Sequence, residues 1–128
     1  MHLLIVRHAA AAPGNPDELR PLTPTGRDQA QRLGESLRAE GIVPDAVLSS
    51  PLRRARETAE ALGLGEPEVD ERLAPGASPT DMSEAAHGRG ETVIVVGHQP
   101  DCSRAVAELS GREEPKFPPC AYAIVELE

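Results

Sequence analysis

The sequence predicts a three-layer α/β/α sandwich: a single compact α/β domain, residues 1–128, with a mainly parallel central sheet. Three observations carry this reading. The runs Leu-Leu-Ile-Val at 3–6 and Val-Ile-Val-Val at 93–96 are short, continuous and apolar, as strands buried on both faces are. Ala-Val-Leu at 46–48 reads as a third such strand. Each run is followed by polar residues and then by a helical pattern, and that alternation argues for helices layered on a sheet. A chain of 128 residues is a typical length for one domain and long enough to bury one substantial core.

The elements follow in order. Residues 9–22 read as a loop after the first strand. Thr23 is placed to cap the first helix, Pro24 suits its first position, and Ala30, Leu33 and Leu37 recur on one face. Gly41 is placed to end it. Ser50 reads as the cap of a second helix, with Pro51 just inside and Leu52, Ala55, Ala59 and Leu62 as its apolar face. On its exposed side, Arg53 can pair with Glu57 and Arg56 with Glu60 at four-residue spacing. A weak helical pattern covers 81–87, and the rest of that region carries no readable pattern. Residues 73–79 and 111–119 read as loops. A helix over 101–109 should bury Ala105, Val106 and Leu109, and 121–127 reads as a final strand near an edge, since a Pro-rich loop precedes it.

Composition narrows the function. The formal net charge of −8 argues against nonspecific binding to nucleic acid or to acidic membranes, both of which need a positive surface. With one Tyr, one Phe and no Trp, the core must be built from Leu, Val, Ile and Ala. Cys102 and Cys120, alone in a domain with an adequate core, read as free thiols of a reducing compartment. The first apolar run is too short for the core of a signal peptide, and no later run approaches a membrane span, so a cytoplasmic protein is expected.

In open α/β sheets, ligands bind beyond the carboxyl ends of the strands. Arg7-His8, Ser49-Ser50-Pro51-Leu52-Arg53-Arg54 and Gly97-His98 stand there. Two imidazoles and at least two guanidinium groups therefore converge on one sheet edge. Phosphoryl transfer requires positioning and charge neutralisation, which planar Arg forks supply without a metal. A neutral imidazole in line with phosphorus can act as nucleophile. Neighbouring arginines disfavour another positive charge, so a lowered pKa is expected for His8. Other phosphate machinery is absent. No G-x-x-x-x-G-K-[S/T] loop occurs, and the positions six residues beyond Cys102 and Cys120 hold Glu108 and Glu126, not the Arg of a cysteine phosphatase loop. His2, His8, His87 and His98 lack zinc-site spacing. No metal and no cofactor are expected.

Taken in order and spacing, Arg7-His8 after a first strand, Leu22-Thr23-Pro24-Thr25-Gly26, Ser50-Pro51-Leu52-Arg53-Arg54-Ala55 with Thr58-Ala59, and Gly97-His98 resemble the histidine phosphatase superfamily, the phosphoglycerate-mutase-like fold. The short chain and Arg20-Pro21-Leu22-Thr23 are most similar to its SixA-type phosphohistidine phosphatases. The resemblance implies a metal-independent phosphatase with His8 as the phosphorylated nucleophile. It implies that Arg7 and Arg54 clamp the phosphoryl group, that His98 hydrogen-bonds it, and that Arg20 approaches it from the first loop. Helical phase alone does not choose between Arg53 and Arg54; the motif points to Arg54.

Many relatives carry a carboxylic acid that protonates an alkoxide leaving group. Here Asp81 and Glu84 are candidates, with Asp17 and Glu18 behind them. A missing acid would suit a phosphoramidate, whose imidazole departs more easily. Three functions follow: a protein phosphohistidine phosphatase, a phosphatase for small phosphate esters or sugar phosphates, or a phosphate-binding regulatory module without turnover. The expected partner is a phosphorylated protein or a small phosphate-containing molecule, with no nucleic acid and no membrane. No role is assigned to Cys102 or Cys120.

Overall fold

The computed structural model describes all residues 1–128. Five strands, β1 (His2–Arg7), β2 (Ala46–Ser49), β3 (Pro67–Val69), β4 (Thr92–Gly97) and β5 (Tyr122–Glu126), lie in the order β3-β2-β4-β1-β5. The first four run parallel, and β5 closes one edge antiparallel to β1. Four helices, α1 (Pro24–Ala39), α2 (Arg53–Leu62), α3 (Pro79–Ala86) and α4 (Asp101–Ser110), and two short 3₁₀ turns, Asp17–Leu19 and Glu71–Leu73, complete the chain.

Side chains alternate across each strand, so one apolar run supplies both faces of the sheet. Leu4, Val6, Val47, Ile94 and Val96 pack against Leu37 of α1 and Ala55, Ala59 and Leu62 of α2. Leu3, Ile5, Leu48, Val93 and Val95 pack against Met82 and Ala85 of α3, Cys102, Ala105 and Val106 of α4, and Phe117. The result is the expected three-layer sandwich. Each fully buried Leu, Ile or Val side chain contributes roughly 1.5–3 kcal/mol of transfer free energy, which fixes the strands rigidly enough to carry a site at their ends.

Local signals explain most boundaries. Thr23 Oγ1 accepts the Gly26 N–H at 2.9 Å, and Gly41, at φ 84°, follows the last turn of α1. Two glycines let α1 sit close. A Cβ at Gly34 would overlap the Leu62 carbonyl of α2, and one at Gly26 would overlap the Ala10 carbonyl beyond β1.

Two expectations need correction, and two weak readings are extended. Ser50 is not the cap of α2: Leu52 occupies that position without a side-chain cap, and Ser50 Oγ accepts the Leu52 N–H at 3.2 Å and meets His98 Nε2 at 2.8 Å. Arg56 does not pair with Glu60; its Nε donates to the Pro51 carbonyl at 3.1 Å. The weak pattern over 81–87 is a regular helix that begins earlier, at Pro79, where Ser78 and Asp81 form a reciprocal capping box. The patternless stretch before it contains β3, whose brevity and Pro67 at its first position suit an edge strand.

No helix is long and apolar enough to cross a membrane.

Candidate active site

Register brings the two histidines together. Arg7 of β1 pairs with Gly97 of β4, so His8 and His98 leave adjacent parallel strands at the same height. The His8 N–H donates to the Gly97 carbonyl at 3.0 Å, and the Ser50 N–H, from the end of β2, donates to the Val96 carbonyl at 3.0 Å. The two imidazole centroids are 5.3 Å apart, with the rings tilted by 57°.

His8 is held in one tautomer. Its Nδ1 lies 2.8 Å from the Ala9 carbonyl. A carbonyl oxygen only accepts, so Nδ1 carries the proton and Nε2 keeps the lone pair. The Ala9 N–H donates to Thr58 Oγ1 at 3.0 Å, and that hydroxyl donates to the Arg54 carbonyl at 2.7 Å. The turn carrying His8 is thereby fastened to the helix carrying Arg54. Burial pushes the His8 pKa down to about 4 against the pull of the Ala9 carbonyl, and Arg54, Arg7 and Arg20 push it further the same way. The lowered value matches the expectation, but burial outweighs the arginines as its cause.

His98 is almost fully enclosed, at 4% exposure. Its Nε2 lies 2.8 Å from Ser50 Oγ, while Nδ1 is buried with no partner. Burial, then His8 and Arg54, lower its pKa to about 3. Both rings are therefore neutral at pH 7.

Arg54, Arg7 and Arg20 lie within electrostatic range of His8, and Arg54 and Arg7 within range of His98 as well. Arg7 donates from Nη1 to the Phe117 carbonyl at 3.0 Å, and its buried Nε has no partner. Arg54, 7% exposed, donates from Nη1 to the Asp17 carbonyl at 3.0 Å and from Nη2 to Asp17 Oδ2 at 3.2 Å. Arg20 donates from Nε to the Ala12 carbonyl at 2.8 Å and from Nη1 to Asp17 Oδ1 at 3.0 Å. Arg53 turns outward, where its Nε meets Glu57 Oε2 at 3.1 Å. The helix thus separates the two adjacent arginines, one buried toward the histidines and one on the surface.

The candidate acids fare differently. The Asp81 carboxylate accepts the Ser78 N–H at 2.9 Å as part of the α3 cap, and those bonds hold its pKa below the usual range. Asp17 lies within electrostatic range of His98, but its bonds to Arg20 and Arg54 keep it a carboxylate. Glu18 and Glu84 are exposed. No three His, Cys, Asp or Glu side chains gather where one ion could bind them. Cys102 and Cys120 are free thiols, and burial pushes them up to about 12 and about 11.

Sequence reasoning passed over three contributors. Ser50 was assigned to a helix cap, although its position at a strand end beside Gly97-His98 was the available signal. Thr58 falls one turn beyond Arg54 on the same buried face. The Phe117 carbonyl, which fixes Arg7, comes from a loop with no periodicity to read.

Residues 3–76 match the sequence profile of the histidine phosphatase superfamily (branch 1). An uncharacterized protein of Mycobacterium tuberculosis is 34% identical over 137 residues, covering 95% of this chain and 87% of that protein. The phosphohistidine phosphatase SixA of Escherichia coli is 32% identical over 139 residues, covering all of this chain and 86% of that protein. The solved structure of the protein histidine phosphatase SixA complexed with tungstate superposes with a TM-score of 0.90 at 30% identity, covering 100% of this chain and 89% of that one. With the profile matched over more than half of its length and such relatives along all of it, the chain belongs to the histidine phosphatase superfamily.

Proposed function

We propose that this domain, spanning residues 1–128, is a protein phosphohistidine phosphatase that works through a phosphohistidine intermediate on His8. One observation carries the reading. The Ala9 carbonyl fixes the proton of His8 on Nδ1, so the Nε2 lone pair is free, beside His98 and within the field of three arginines.

In the first step, the Nε2 lone pair attacks phosphorus and the bond to the leaving group breaks. The leaving nitrogen takes that electron pair, and a proton from solvent makes it neutral imidazole. In the second step, water attacks phosphorus, the P–Nε2 pair returns to His8, and a proton is released. Arg7, Arg54 and Arg20 neutralise the phosphoryl oxygens, and His98, steadied by Ser50, hydrogen-bonds the transferring group. Because the guanidinium groups carry this charge, turnover needs no metal.

The preference for phosphohistidine over an ester rests on the acids. Two of the four candidates are held as carboxylates by their own hydrogen bonds, and the other two lie on the surface. An alkoxide leaving group needs protonation in the transition state far more than imidazole does. SixA of Escherichia coli, a relative that covers all of this chain, is named a phosphohistidine phosphatase.

The test is a substrate panel: a phosphohistidine protein, phosphoramidate, p-nitrophenyl phosphate and a sugar phosphate. The first two should turn over with the highest kcat/KM, unchanged by excess EDTA. Faster turnover of the sugar phosphate would reassign the enzyme to small esters, and no turnover of any substrate would favour a binding module.

A further inference from the structure

Asp17 is the charged residue at the site that the proposed chemistry does not use. It lies in the 3₁₀ turn Asp17–Leu19 of the first loop. Its carboxylate bridges two arginines, Oδ1 to Arg20 Nη1 at 3.0 Å and Oδ2 to Arg54 Nη2 at 3.2 Å, and its backbone carbonyl takes Arg54 Nη1. Arg54 is 91% enclosed along its side chain, whereas Asp17 is 58% exposed. The carboxylate therefore sits on the solvent side of the clamp, within electrostatic range of His98, whose proton affinity it raises.

We propose that Asp17 is an internal anion that competes with phosphate for the Arg54 and Arg20 donors, and so sets how tightly the site holds phosphate. A phosphoryl group and a carboxylate seek the same planar N–H forks. An incoming phosphoryl group can bind the N–H groups that Arg54 and Arg20 leave free, sharing both guanidinium groups with Asp17, or it can displace the carboxylate from them. Sharing places two negative charges side by side, and exchange costs the ion pairs. Either way, phosphate binds less tightly than three arginines alone would hold it. This matters for a phosphatase, because its product is the same dianion that the clamp recognises. A competing carboxylate weakens product retention.

The inference rests on the reading of Arg54 and Arg20 as phosphate ligands, and the experiment separates the two. The inhibition constant for inorganic phosphate would be measured for the wild type, Asp17→Asn, Arg54→Ala and the double variant. Asp17→Asn should tighten phosphate by roughly two- to fivefold, in keeping with the modest strength of an exposed ion pair. It should lower KM without raising kcat, and the gain should shrink in the Arg54→Ala background, where the principal donor is gone. A purely structural role for Asp17 would not tighten anything. Weaker phosphate binding by Asp17→Asn would show instead that Asp17 holds the arginines in place for phosphate. An unchanged constant, or a loss confined to kcat, would overturn the proposal equally. If Arg54→Ala leaves phosphate binding unchanged, the clamp assignment itself fails.

Discussion

Acidification should destabilise this domain through His8 and His98 before its carboxylates take part. The folded rings are held down to about 4 for His8 and about 3 for His98, chiefly by burial, against an ordinary value of 6.5. Above pH 6.5 neither state binds these protons. Between 6.5 and about 4 the unfolded chain takes up protons that the folded rings refuse, so stability falls as pH falls. Below the folded values both states are protonated and the histidine contribution levels off. At about 1.4 kcal/mol per pKa unit the His8 shift alone amounts to roughly 3 kcal/mol, and partial exposure to solvent reduces that to about 2. The two rings repel each other's charge, so His98 adds less than its full share, and about 2–4 kcal/mol in all is expected from the pair. Asp17, Glu57, Asp70 and Asp81 are lowered as well, but carboxylates act below this window. Urea denaturation of the wild type and of a His8→Gln, His98→Gln double variant, at pH values from about 7 to about 4.5, measures the effect. The wild type should lose stability across the window and the double variant much less. NMR titration of the imidazoles provides the direct check, and a His8 midpoint near 6.5 would refute the reasoning.

Three further outcomes follow. Gly34→Ala should destabilise the fold by about 1–3 kcal/mol, because the added methyl meets the Leu62 backbone where α1 crosses α2; thermal denaturation reads this. Arg54→Ala should weaken phosphate inhibition roughly 10- to 100-fold, the scale of hydrogen bonds to a charged group, while Arg53→Ala, paired with Glu57 on the surface, should stay within about twofold. Ser50→Ala leaves both nitrogens of His98 without a partner and should lower kcat/KM by roughly tenfold with the fold intact by circular dichroism, whereas Ser50→Thr should recover part of the loss.

The parts of this molecule that were legible in the sequence are those governed by local chemistry. The buried strands show as β-branched runs, and the start of α1 shows in Thr23-Pro24. That His8 and His98 stand on one edge of the sheet follows from parallel topology, which puts the carboxyl ends of β1 and β4 on the same side. What stayed hidden depends on tertiary context. Ser50 carries the composition of a helix cap, yet the nearby imidazole of His98 takes its hydroxyl. The choice between Arg53 and Arg54 turns on which face of α2 meets the sheet, and only the motif resemblance anticipated it. Asp17 ranks only as a secondary candidate acid in the sequence, and its bridge between two arginines stays hidden because Arg54 is 37 residues away. β3 is three residues long, and no periodicity can be read over so short a span.

The most direct test of the account is to trap the covalent intermediate from a labelled phosphoramidate substrate and map it by mass spectrometry. The wild type should carry an acid-labile, base-stable phosphate on His8, and His8→Ala should show neither label nor turnover. His98→Ala should react roughly 10²- to 10⁴-fold more slowly, the usual scale for losing one polar catalytic group, yet still label at His8. Phosphate recovered on His98, or on Ser49 or Ser50, would contradict the assignment of His8 as the nucleophile.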